Sequence, residues 1–204
     1  MTDQELKEFY NKGLLAFEKQ NYDYAIEIFS QIVSIQNDAI EIFSQIVSIQ
    51  YDHLDARHHL HLSLQKKTEG SRASIASPIN KLLLTMKADG LLKKDDIPGC
   101  LEALEKIIAS NPRDSETLKK IADIFYKKGM TSHAINNLEE ARLANPKDID
   151  VFKRLGELYM KKEDYHNAKA VYESALKINP NDTDVLKSLK NLDALGTIKQ
   201  EFGS

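Results

Sequence analysis

The stretch SETLKKIADIFYKKGMTSHAINNLEEARLANPKD (115–148) and the stretch after it, IDVFKRLGELYMKKEDYHNAKAVYESALKINPND (149–182), are one pattern written twice. Pro112, Pro146 and Pro180 stand 34 residues apart and close the phrases SNP, ANP and INP. Laid over one another, Leu118 pairs with Phe152, Ile121 with Leu155, Ala122 with Gly156, and Phe125 with Tyr159. Further on, Ala134 pairs with Ala168, Leu138 with Tyr172, and Ala141 with Ala175. A repeat of this length with helical spacing inside it is a helix–turn–helix unit that buries its apolar faces by stacking on its neighbours.

Each pairing has a physical reason. Leu118, Ile121 and Phe125 lie at i, i+3 and i+7, one face of a first helix. Ala122 and Gly156 sit where a second helix crosses, and a large side chain there would hold the two helices apart. Ala134, Leu138 and Ala141 give the second helix its stripe. Gly129 in one copy and Glu163-Asp164 in the other supply the turn. Each Pro stops the second helix, because it has no N–H for the ladder. Asp114 and Asp148 are placed to cap the helices that follow.

This pattern resembles the tetratricopeptide repeat: the large, small, aromatic, Ala, aromatic, Ala and Pro positions fall at that family's spacings in both copies. The resemblance implies an all-α fold, a right-handed superhelix of stacked antiparallel helix pairs whose concave side holds a peptide or another protein. It also implies that the outward side of each first helix lines that groove. Lys119, Asp123 and Tyr126 would then stand beside Lys153, Glu157 and Met160, with Lys187 on the capping helix and His58 further up. Lys119, Lys153 and Lys187 recur every 34 residues and form a ladder. With Lys120 and Arg154 alongside, it suits an acidic peptide or a terminal carboxylate. The family's clamp for chaperone tails needs a Lys and an Asn where this chain has Tyr10 and Leu14, which argues against that partner.

Composition narrows the function. The formal net charge is −3 over 204 residues, which argues against a nucleic-acid binder working by phosphate neutralisation. One cysteine, Cys100, excludes an internal disulfide framework and suits a reducing compartment. Cys100 holds the place of Ala134 and Ala168, which reads as a small buried residue. No signal-peptide pattern and no membrane-length apolar run appear, so a soluble cytoplasmic protein is expected. No Gly-rich phosphate loop, paired cysteines or nucleophile motif points to catalysis or a cofactor. The reading is a non-catalytic interaction scaffold.

Residues 1–68 read as further repeats. Over 5–36, Gly13 takes the small-residue place, Gln20 to Asp23 form the turn, and Ala25, Phe29 and Ile32 line a second helix. AIEIFSQIVSIQ then occurs twice, at 25–36 and 39–50. Diverged repeats do not stay identical, so this points to a recent or engineered duplication, with a cloning or transcription accident as the alternative. An offset of 14 residues turns through about 1400°, close to four full turns. One uninterrupted helix from Tyr22 to Gln50 would therefore align Ala25, Phe29 and Ile32 with Ala39, Phe43 and Ile46, and is the favoured expectation. The rival breaks the helix at Asn37-Asp38, with Asp38 and Glu41 as a capping box. On either reading one of two identical stripes lacks a native seat. Self-association through Phe29, Ile32, Phe43 and Ile46, as a homodimer or a swapped helix, is the alternative function.

Residues 53–67 read as the first helix of another repeat, with His61 at its small-residue place. His53, His58, His59 and His61 crowd there, but the pairs His58–His61 and Asp55–His59 point to different faces, so no metal site is expected. Residues 69–78 are small and polar and read as a loop. A degenerate repeat follows over 79–112, with Leu84, Ala88 and Leu91 as its first stripe. A capping helix over 182–195 ends at Gly196, and 196–204 read as a tail, its last residues a cloning remnant.

Overall fold

The computed structural model describes residues 3–31, 36–68 and 78–202, and every regular element among them is an α-helix. Contacts divide the chain into two units, Met1–Pro112 and Arg113–Ser204.

In the second unit, α7 (Ser115–Lys127) packs on α8 (Thr131–Ala144), and α9 (Ile149–Lys161) packs on α10 (Tyr165–Ile178). The pairs stack through α8 and α9, and α11 (Thr183–Phe202) closes over α10. Leu118, Ile121, Phe125, Ala134, Leu138 and Ala141 are buried, as are their counterparts Phe152, Leu155, Ala168, Tyr172 and Ala175. Tyr159, the partner of Phe125, is only half-buried, because its hydroxyl reaches out to Glu139 at 3.0 Å. Gly156 is required: a methyl there would overlap the Tyr172 ring. Asp114 caps α7 by accepting from the Thr117 N–H at 3.0 Å. Asp148 starts α9 but makes no such cap bond, since its carboxylate turns to Lys119.

The turns inside the pairs share one device. Asp95, Gly129 and Glu163, 34 residues apart, each adopt a left-handed backbone with φ of 57°, 78° and 58°, and Gln20 does the same at 59°. The sign reverses the chain in two or three residues, and only one of the four is the glycine that adopts it without steric cost.

The first unit holds α1 (Asp3–Glu18) on α2 (Tyr22–Gln31), α3 (Gln36–Ile49) on α4 (Leu54–Thr68), and α5 (Pro78–Lys93) on α6 (Ile97–Ser110). Gly13 meets the Phe29 ring sixteen positions on, as Gly156 meets Tyr172. In α6, Asp96 caps by accepting from the Gly99 N–H at 3.0 Å, and Cys100 is buried at the crossing.

Four expectations are corrected here. The duplicated stretch does not form one rod from Tyr22 to Gln50. Such a rod would hold Asp23 and His53 about 40 Å or more apart at 1.5 Å per residue, yet the Asp23 carboxylate lies 3.3 Å from His53 Nε2. The chain therefore runs back along α3 and forward again along α4. The rival break at Asn37-Asp38 is not the boundary either, since both residues lie inside α3. The junction itself, 32–35, falls outside the described residues, and so do 69–77 of the loop expected over 69–78, whose last residue, Pro78, already opens α5. Next, 54–68 is the second helix of its pair, not the first, because the copied stripe has become its partner. Last, Gly196 does not end the final helix, which runs on to Phe202. One helical glycine costs about 1 kcal/mol, too little to break an otherwise helical stretch.

Candidate functional site

The predicted groove residues of the second unit are brought together in part. Asp123, Tyr126, Arg154 and Glu157 line one cleft of about 140 Å³, floored by Ala122, Leu138 and Leu158. They come from two successive first helices, α7 and α9, because 34-residue spacing puts matching positions side by side. Tyr126 is 45% exposed, and the Lys161 ammonium lies 4.8 Å from its ring centroid, within cation–π reach. Arg154 bridges the helices through an ion pair to Asp123 and stands 3.7 Å from Asp150. Glu157 is exposed and Met160 half-buried, and Met160 does not line the cleft.

The lysine ladder has a different immediate role from the one expected. Lys119 Nζ lies 2.9 Å from Asp148 Oδ2 and 2.8 Å from Glu116. Lys153 Nζ lies 2.9 Å from Asp182 and 3.2 Å from Asp184. Lysine and aspartate are 29 residues apart in both copies, so each lysine ties its own helix to the start of the next. Burial pulls the Lys119 ammonium down, but hydrogen bonds to Glu116 and Asp148 outweigh it, and its pKa is raised. A hydrogen bond to Asp182 raises Lys153 in the same way, and that bond holds the Asp182 carboxyl below the usual carboxylate range. Lys187, the third rung, is exposed and has no ion pair among the described residues. Sequence spacing found the rungs. It missed their partners, although the recurring aspartates at 148 and 182 were the available signal.

The self-association residues are elsewhere. Phe29 is fully buried against α1, while Phe43 and Ile46 are fully buried where α3 packs on α4. The Phe43 ring stacks on His59 at 5.6 Å between centroids. Ile32 falls outside the described residues. Among the described residues of the two identical stripes, Ala25 and Phe29 in the first and Phe43 and Ile46 in the second are each buried.

The histidines of α4 also diverge. His53 meets Asp23, His59 meets Phe43, and His61 is buried with Nε2 2.8 Å from Glu105 Oε2 on α6. Arg57, 1% exposed, pairs with the same Glu105 and donates to the Tyr51 carbonyl at 2.9 Å. No three potential metal ligands converge among the described residues. None of their helices is long and apolar enough to cross a membrane.

The family model described as tetratricopeptide repeat matches residues 149–182, and a second model of the same description matches 9–39. The chain carries tetratricopeptide repeats over these two stretches. Solved structures of such repeats share the fold at low identity. The Sgt2 TPR domain from Aspergillus fumigatus is similar at a TM-score of 0.53 and 18% identity, over 66% of this chain and 90% of that one. A tetratricopeptide repeat protein from Parabacteroides merdae gives 0.53 and 18%, over 78% and 62%. The first TPR of Spaghetti (RPAP3), bound to HSP90 peptide SRMEEVD, gives 0.51 and 16%, over 60% and 98%. No curated protein matches the sequence.

Proposed function

We propose that the chain is a non-catalytic scaffold that binds a peptide or protein segment along the first-helix faces of α7, α9 and α11. The observation that carries this reading is the cleft shared by two repeats, where an exposed Tyr126 stands beside Arg154 and Glu157 over an apolar floor. An aromatic ring of this kind, wet on one side and packed on the other, is the type of residue that anchors a bound segment. The similar TPR of Spaghetti holds an acidic peptide, which supports the same use of the fold here.

The ligand's charge follows from the ion pairs. Lys119 and Lys153 already hold carboxylates, so an acidic segment meets open cations at Lys187 and at Lys161 beside Tyr126, and Arg154 only in exchange for Asp123. The ligand is therefore a segment with one apolar or aromatic side chain for the Tyr126 cleft and a carboxylate toward Lys187, not a densely acidic tail. Selection of a random-peptide display library on the full chain tests this. Selected peptides are expected to lose about tenfold or more in affinity on Tyr126→Ala, and less on Lys187→Glu, with thermal stability unchanged. Peptides that bind both variants as tightly as the parent would overturn the reading.

A further inference from the structure

α5 is apolar on two sides. Ala88 is buried toward α6, with Leu84 and Leu91 half-buried near it. Ile79, Leu82, Leu83 and Met86 form a second stripe at i, i+3, i+4 and i+7, and they are 67, 60, 59 and 62% exposed. An apolar stripe on a helix faces a partner, so a second stripe calls for a second partner. These four side chains expose on the order of 450 Å² of mostly apolar surface, the size of patch that marks an interaction site.

The same unit also holds an apolar cleft. It measures about 310 Å³ and lies between α3, α4 and α6, walled by Ile40, Val47, Leu60, Leu64 and Leu101. Arg57 and Glu105 lie at its side, and Glu102 and Lys106 line it too. The second unit shows what such a position takes. There the pair α7/α8 is covered by α9, the first helix of the next pair. In the first unit the next first helix is α5, yet it packs on α6, with no comparable packing on α3 or α4 among the described residues. Among the described residues, no helix covers the cleft as α9 covers its counterpart, and α5 has the stripe such a helix would bring.

We propose that two copies of this chain associate by seating the Ile79–Met86 stripe of each α5 in the α3/α4/α6 cleft of the other. Its own α6 holds α5 by the opposite face, so the exposed stripe is turned to a second molecule. Each copy offers one stripe and one cleft, and exchanging both across a two-fold axis closes the assembly. Two contacts, each covering a stripe of about 450 Å² and the smaller open mouth of the cleft, reach on the order of 1,200 Å², the lower end of the range of a stable interface. This surface is separate from the Tyr126 cleft, so the two readings stand or fall apart.

The test is the mass of the full chain in solution by light scattering over a concentration series. The expected result is reversible growth from 23.1 kDa toward twice that mass. Leu82→Lys plus Met86→Lys removes the stripe at exposed positions and is expected to raise the dissociation constant at least about tenfold. Ser44→Trp, at an exposed residue lining the cleft, is expected to do the same by filling the seat. Mixing the two variants leaves one intact stripe and one intact cleft, and is expected to restore a heterodimer with a single contact. A parent chain that stays monomeric at about 200 µM, far above the range of specific dimers, overturns the proposal. So does a dimer indifferent to Ser44→Trp, which would mean that stripe meets stripe.

Discussion

The junction between α7/α8 and α9/α10 and the junction between α4 and α6 join helix pairs by opposite means. The first uses a lysine and an aspartate near the surface, Lys119 and Asp148, 16% and 13% exposed, and the next junction repeats it with Lys153 and Asp182. The second uses a buried cluster, Arg57 and His61 on α4 around Glu105 on α6. A surface joint tolerates the loss of either member, since water solvates what is left. A buried joint does not, because the survivor is a charge without a counterion. Among the described residues, the ion pairs that reinforce the joints of the second unit are thus dispensable, and the one at the α4/α6 joint is not.

Breaking the buried joint should give the largest effect. Glu105→Ala is expected to cost about 3–5 kcal/mol in chemical denaturation, and Arg57→Met with Glu105→Leu should recover most of it. A double variant as unstable as the single one would show that packing, not uncompensated charge, sets the cost. The helix crossings come next and ask whether the two units pack alike. Gly156→Ala forces a methyl into the Tyr172 ring and Gly13→Ala into Phe29; overpacking costs about 1–3 kcal/mol, partly offset by about 1 kcal/mol of helix propensity. Similar losses at both would mark the crossings as equivalent, and a loss at Gly156 alone would separate the units further.

Turn chemistry sharpens the comparison within the second unit. Gly129 has open space around it but a φ of 78°, so Gly129→Ala should cost about 1 kcal/mol from backbone strain alone. Glu163→Gly at the matching turn should be neutral or slightly stabilising. A thermal melt of each variant separates them. Lys119→Ala, Asp148→Ala and the double variant should yield a coupling of only about 0.5–1 kcal/mol, well below the Glu105 effect.

The smallest effect is the pH dependence of Asp182. Its carboxyl is held low by the Lys153 hydrogen bond, with burial working against it. The folded pKa lies below the unfolded one, so the stabilisation is complete above the ordinary carboxylate value of about 4. It is lost as pH falls through the folded value. Asp182→Asn should flatten the urea midpoint against pH in that acid range and leave it unchanged near neutrality.

What the sequence discloses follows the same division. The pairings of Leu118 with Phe152 and Ala134 with Ala168 state the fold outright, because a solenoid writes its geometry as a period. The turns at Gly129 and Glu163 were legible for the same reason. The family resemblance put Tyr126, Arg154 and Glu157 on one face, but the partners of Lys119 and Lys153 went unread, since helical spacing locates a side chain's face and not what crosses it. The copied stretch misled in another way. Fourteen residues fit four turns so closely that one rod looked natural, and the local pattern could not show that α4 supplied a partner for the second copy. The outer stripe of α5 was hidden by its inner one: a helix apolar on two sides has no clear amphipathic direction to read.

The lysine at the front of each 34-residue copy and the aspartate that ends it travel together. Splicing one more copy in after Asp182 would bring a complete connector along, with Lys187 giving way to a lysine that has its own acceptor downstream. Such an array grows from one cassette without any new joint being designed, and the row of first helices lengthens by the same step.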